Sequence, residues 1–176
     1  LCMSLRVPVK ASPGDRVAVL SPSFAAPAVA PAVHEQAMLR LKDLTGLIPV
    51  EFPTTRLIDA SPQHRAQDIN SAFADPDIKA VLATIGGTDQ ITVIPHLDAQ
   101  LIHDNPKIFV GYSDNTNLHN WLWQQGITSF YGGSTQVQLG PGPFVDAIHA
   151  DSLRAALITG GELELTNPGE SEDFGV

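Results

Sequence analysis

Cysteine is almost missing from this chain: Cys2 stands alone among 176 residues. An internal disulfide is therefore excluded, and a place beside the terminus suits neither a catalytic thiol nor a metal ligand. Basic residues are also scarce, with 10 Lys plus Arg against 19 Asp plus Glu and a net charge of −9. That balance, with no run of Lys or Arg to offset it, argues against nucleic acid or an anionic membrane as a partner. No apolar stretch is long enough to span a bilayer, and Leu1-Cys-Met-Ser-Leu-Arg-Val-Pro-Val-Lys10 lacks the apolar core of a signal peptide. A soluble, cytoplasmic protein is the expectation. The six histidines, at 34, 64, 96, 103, 119 and 149, include no His-x-x-x-His or His-Glu-x-x-His pair, so no metal site and no cofactor are expected.

What is present is 43% hydrophobic content in a pattern of short apolar runs alternating with helical periodicity, enough for one domain with a full core. Strands are expected at Val17–Leu20, Val50–Phe52, Ala80–Ile85, Lys107–Tyr112 and Thr128–Tyr131. Helices are expected from Val29 to Leu44, from Pro62 to Phe73, from Leu97 to His103, from Thr116 to Gln125 and from Phe144 to Ile158. Ser61-Pro62 reads as an N-cap and first-turn pair, Gly46 and Gly160-Gly161 as helix stops, and the Pro/Ala-rich Ala25–Ala32 as a loop. Nearly all-apolar strands alternating with helices imply an α/β fold, an open, mostly parallel sheet covered on both faces. Functional residues then belong at the carboxyl ends of the strands. Those ends read Ser21-Pro-Ser-Phe24, Pro53-Thr-Thr55, Gly86-Gly-Thr-Asp89, Ser113-Asp-Asn115 and Gly132-Gly-Ser-Thr135.

The stretch Lys107-Ile-Phe-Val-Gly-Tyr-Ser-Asp-Asn-Thr116 has the shape of a nucleophile elbow: a strand that breaks at Gly111 and delivers Ser113 to the start of a helix. The hydrolase pattern Gly-x-Ser-x-Gly wants a small residue where Asn115 stands, and on spacing alone Ser113 reads first as a helix cap and only second as a nucleophile. Gly86-Gly87 lacks the spacing of a dinucleotide fingerprint or a phosphate loop. It reads either as a plain turn or as a source of a backbone oxyanion donor beside the amide of Asp114. His119, six residues after Ser113 on one helix, is expected to point away from it and to pack. His34 and His64 are expected to face solvent or cap helices. The Asp114 side chain suits the helix dipole better than a catalytic triad. Trp121 and Trp123 read as core or dimer-contact residues.

Taken together, Gly14-Asp-Arg-Val-Ala-Val-Leu-Ser-Pro-Ser23, Arg65-Ala-Gln-Asp-Ile-Asn-Ser-Ala-Phe73 leading through Asp77-Ile-Lys-Ala-Val81 to Gly86-Gly87, Gly111-Tyr-Ser-Asp114 and Phe130-Tyr-Gly132 resemble the LD-carboxypeptidase family of serine peptidases. That family includes muropeptide carboxypeptidases and microcin C self-immunity proteins. The resemblance implies that Ser113 is the nucleophile, that the amides of Gly87 and Asp114 form the oxyanion hole, and that Gly86, Ser23, Tyr112 and Ser134 are candidates for contacting substrate. It implies an N-terminal extension over 1–13, an α/β domain over 14–161, and at 162–176 the start of a linker to a C-terminal domain. That domain, absent from this chain, would bring the His and Glu of a Ser-His-Glu triad. The chain reads as a fragment, itself inactive. A small peptide or an aminoacyl-nucleotide is the implied substrate, and a homodimer the implied assembly. Ile85-Gly-Gly-Thr-Asp-Gln90 is similar to the microcin-immunity type. A non-catalytic α/β domain binding a small ligand is the alternative.

Overall fold

A computed structural model describes residues 5–166 and Gly169; Cys2 and most of the expected linker lie outside the described residues. Five strands run parallel in the order β2-β1-β3-β4-β5. They are β1 (Arg16–Leu20), β2 (Ile48–Glu51), β3 (Ile78–Ala83), β4 (Ile108–Gly111) and β5 (Phe130–Tyr131). The helices are α1 (Ala26–Val29), α2 (Pro31–Thr45), α3 (Pro62–Ala74), α4 (Ala99–Asp104), α5 (Thr116–Gln124) and α6 (Ala147–Arg154).

The chain steps from β1 sideways to β2, then back past β1 to β3. Right-handed crossovers in opposite directions place their helices on opposite faces. Alternation along the strands serves both faces. Ala18, Leu20, Val81 and Phe109 pack with Ala66, Ile69 and Phe73 of α3 and with Leu118 and Leu122 of α5. Val17, Val19, Leu82 and Val110 pack with Ala37 and Leu41 of α2 and Leu153 of α6. Each large side chain so enclosed contributes roughly 1.5–3 kcal/mol of burial free energy.

Helix boundaries follow local chemistry. Ser61 accepts from the His64 amide as the N-cap of α3, and Gly46 ends α2 at φ 72, a left-handed value that glycine adopts without strain. The segment Ala25–Ala32, expected as a loop, is instead a helical turn, a break at Ala30, and the start of α2. Pro27 and Pro31 both occupy first-turn positions, where a missing N–H loses no bond. The last helix begins at Ala147, later than Phe144, and widens into a π-helical turn over Ala155–Thr159. β5 is also shorter than expected, because Thr128 turns its amide to Arg6 O at 3.0 Å. In the segment before Gly14, Ala11 is buried and donates to Leu157 O at 2.9 Å.

Lys107 enters β4 at the end of the sheet away from the strands' carboxyl ends. It is buried, and its Nζ donates to Ile78 O at 2.6 Å and to Asp75 O, the carbonyl at the C-cap of α3. Burial lowers its pKa from 10.5 to about 8. The protonated form is therefore disfavoured in the folded state, and between these values the unfolded chain holds more protons. Stability should rise as pH increases from about 8 to about 10.5. Urea unfolding across that window should show a shallower rise in Lys107→Met than in wild type; equal slopes would contradict this assignment.

Candidate active site

The strands' carboxyl ends form one bonded surface. Beyond β1, Ser21 Oγ donates to Thr55 O at 2.7 Å and lies 2.8 Å from Thr84 Oγ1, while Thr55 Oγ1 donates to Val19 O at 2.8 Å. Thr84 O in turn accepts from the Gln136 amide at 3.1 Å, and Gly86 O from the Phe24 amide at 3.3 Å. β1 and β3 are the neighbours from which the chain departs in opposite directions, the position where open α/β sheets leave a crevice.

Ser113 sits over this crevice in a sharp turn between β4 and α5, at φ 58, and is the one non-glycine among the described residues with positive φ. Such a conformation costs of order 1–3 kcal/mol and persists only where surrounding bonds over-determine it. Asn115 supplies them. Fully buried, its Nδ2 donates to Ile85 O at 3.1 Å and Tyr112 O at 2.9 Å, and its Oδ1 accepts from Gln90 Nε2 at 2.7 Å. Gln90, also fully buried, accepts the Leu118 amide at 3.0 Å on Oε1. Asn115 thus occupies the place where the hydrolase pattern wants a small residue. It sits at φ −61, where no glycine is needed. The tight position is instead Gly111, where an added Cβ would lie 3.0 Å from Phe109 Cζ and 3.1 Å from both Asn115 Cβ and Cγ. A Cβ at Gly86 would lie 2.8 Å from Ser113 Cβ, 3.0 Å from its Oγ and 3.2 Å from the Asp114 amide, so the β3 turn can approach Ser113 only as glycine.

The Asp114 carboxylate accepts from Ser23 Oγ, from the Gln90 amide at 2.9 Å and from Asn117 Nδ2 at 3.0 Å. It therefore cross-links three turns, a larger role than the helix-dipole contact expected of it. Ser23 Oγ underlies Gly87, whose added Cβ would approach it to 2.1 Å. The Gly87 amide has no acceptor among the described residues. The Asp114 amide lies in the first turn of the 3-10 helix Ser113–Asn115, where backbone donors lack intrahelical partners. Arg65, 5% exposed, fixes the same region: it donates to Ser23 O at 2.8 Å and forks onto Asp89 at 2.9 and 2.8 Å, holding the Asp89 carboxyl below its ordinary pKa.

Tyr112 contributes its backbone carbonyl to Asn115. Ser134 is buried, with both hydrogen-bonding roles spent in its own turn: Oγ accepts from the Val137 amide at 3.1 Å and donates to Gln138 Oε1 at 3.0 Å. His119 comes closer to the site than helix angle suggested, meeting the Tyr131 ring at a tilt of 43° with 5.5 Å between centroids. Its Nε2 donates to Gly111 O at 2.9 Å, so Nδ1 is left to accept from Ser129 Oγ at 2.7 Å, and burial lowers its pKa. Both nitrogens are committed, which removes it as a base. His34 is fully buried, contrary to the exposed or capping role expected. Its Nε2 lies 3.1 Å from Glu51 Oε1, and burial holds it toward the neutral form. Among the described residues no three His, Cys, Asp or Glu converge as metal ligands. Two clefts flank Ser113's surroundings: a polar one of about 570 Å³ at Ser23, Arg65 and Gly87, and an apolar one of about 600 Å³ at Phe130, Tyr131 and His149.

Asn115 and Gln90 are joined by one side-chain bond, and sequence reasoning missed its role, since both amides stand in polar turns, Thr88-Asp-Gln90 and Ser113-Asp-Asn-Thr-Asn117, that do not mark them as buried. Asn115→Ala would orphan Gln90 Nε2 and Ile85 O in the interior. We expect destabilisation of about 2–4 kcal/mol in urea unfolding; a loss below about 1 kcal/mol would show the pair to be dispensable.

Residues 17–132 match the family described as LD-carboxypeptidase N-terminal domain. A Vibrio cholerae protein provisionally named a carboxypeptidase is 34% identical over 135 residues, covering 74% of this chain and 40% of that protein. The Escherichia coli microcin self-immunity protein is 38% identical over 82 residues, covering 46% of this chain and 24% of that one. Among solved structures, a microcin self-immunity protein in complex with aspartyl sulfamoyl adenosine superposes with TM-score 0.79 at 29% identity, over 88% of this chain and 48% of that chain. A related protein from Bacillus anthracis gives 0.80 at 32% identity, over 86% and 47%. The chain thus spans about half the length of these structures or less, and on the match across β1 to β5 it belongs to the LD-carboxypeptidase family, of which it carries the N-terminal domain.

Proposed function

We propose that this chain is the nucleophile-bearing part of a longer serine hydrolase that cleaves an amide bond. The observation that carries the reading is Ser113 itself: an exposed serine in left-handed backbone at a strand's carboxyl end, packed against a glycine turn with free amides. Ser113 Oγ would attack the amide carbonyl and lose its proton to a general base. The oxyanion of the tetrahedral intermediate would accept from the Asp114 and Gly87 amides. Collapse expels the amine, protonated by the same base, and leaves an ester on Ser113 that water hydrolyses. Among the described residues no histidine is hydrogen-bonded to Ser113 Oγ, and both nitrogens of His119 are committed elsewhere, which leaves the base unassigned. A Ser-His-Glu triad completed by a C-terminal domain, reached through a linker beginning near 162, fits this gap.

An aminoacyl-nucleotide is the favoured substrate, because the structural relative was captured with aspartyl sulfamoyl adenosine; an LD-linked muropeptide is the second candidate. Assembly as a homodimer in the cytoplasm completes the reading. The test offers both substrates to the full-length protein and to Ser113→Ala, with product analysis by mass spectrometry. Cleavage by wild type, with loss of about 10⁴-fold or more in the variant, is expected. The 176-residue chain by itself should fall as far. Equal cleavage by wild type and Ser113→Ala would sink the nucleophile assignment, and rapid turnover by the isolated chain would sink the divided triad.

A further inference from the structure

The motif Phe130-Tyr-Gly132 has no part in the chemistry described so far, yet it reaches the strained serine. We propose that Tyr131 is a positioning residue for Ser113, an inference that rests on the nucleophile reading and extends it. The Ser113 amide is the first of a helix start, and the preceding residue, Tyr112, gives no side-chain cap. At a left-handed residue in that position the amide is left to a side chain from elsewhere in the fold or to water. Tyr131 supplies that side chain: the Ser113 N–H donates to the phenolic oxygen at 3.0 Å.

The reach of that ring is set by the sheet. Parallel register places Tyr131 directly opposite Gly111, two residues before Ser113, and the Gly132 amide locks the pairing by donating to Gly111 O at 2.9 Å. His119, bonded to the same carbonyl, packs at a tilt against the Tyr131 ring and is backed in turn by Phe109 at 4.9 Å between centroids. The ring is therefore braced on one side although the residue is 66% exposed, and it also forms part of the apolar cleft wall. Its phenolic oxygen serves as acceptor toward Ser113, which leaves its own proton unused among the described residues. A contact that fixes the backbone of a nucleophile acts on the geometry of attack, so its loss should appear in kcat and leave ground-state binding alone.

The experiment compares wild type, Tyr131→Phe and Ser113→Ala in the full-length protein. Phenylalanine keeps the ring packing and removes only the acceptor. Two quantities are read: steady-state hydrolysis, and exchange of the Ser113 amide by NMR with nitrogen-15 serine. Tyr131→Phe should speed Ser113 amide exchange by about five- to tenfold and lower kcat by about tenfold to a hundredfold with KM within about twofold. Unchanged exchange overturns the proposal, as does faster exchange with unchanged kcat, or a raised KM with kcat held. Turnover surviving in Ser113→Ala sinks the nucleophile reading instead, and the exchange measurement then decides the anchoring by itself.

Discussion

The buried side chain of Asn115 is the constraint on which the rest of the site depends. It binds the carbonyls of Ile85 and Tyr112 and the amide group of Gln90, so the turns that follow β3 and β4 are held by one residue. In an interior that leaves little room for unpaired polar atoms, each of these bonds enforces the others. Between Tyr112 and Asn115, which are bonded to each other, Ser113 stands at φ 58. Strain in the serine and order in the asparagine are two sides of one arrangement.

A second layer of charge and hydrogen bonds stabilises the surroundings. Asp114 gathers donors from the β1 and β3 turns and from α5, and Arg65 reaches from α3 to the β1 turn and Asp89. Charge-assisted bonds of this kind are stronger than neutral ones, and they fix Gly86 and Gly87 relative to Ser113 without a side chain intervening. Glycine is needed at both positions for a steric reason, since Ser113 and Ser23 occupy the space a Cβ would fill. The Gly86 backbone thereby comes up against Ser113 with no side chain between them.

Much of the scaffold was legible from residue pattern. Apolar β runs, Ser61-Pro62 and Gly46 marked β1, α3 and the end of α2, because periodicity and caps act over a few residues. The errors arose where a local signal had two meanings. Proline in Ala25–Ala32 reads as a loop marker, yet it also favours the first turn of a helix, and tertiary packing of Ala26 and Pro27 chose the second meaning. His34 is polar enough for a surface, yet α2 turns it onto Glu51 at the edge of the sheet. The Asn115 environment was illegible for the same reason: its partners at 85 and 90 are distant in sequence.

By itself the sequence determined the class of fold, the parallel sheet, the chain's family, and Ser113 at the end of a strand. Those depend on periodicity, on glycine and proline placement, and on motif order, all properties of short segments. Tertiary structure decided that Asn115 replaces a glycine, that Asp114 is a cross-link, that both nitrogens of His119 are occupied, and that Tyr131 reaches the Ser113 amide. They rest on the side-by-side register of β1, β3, β4 and β5, and register brings together residues whose separation along the chain carries no local signal.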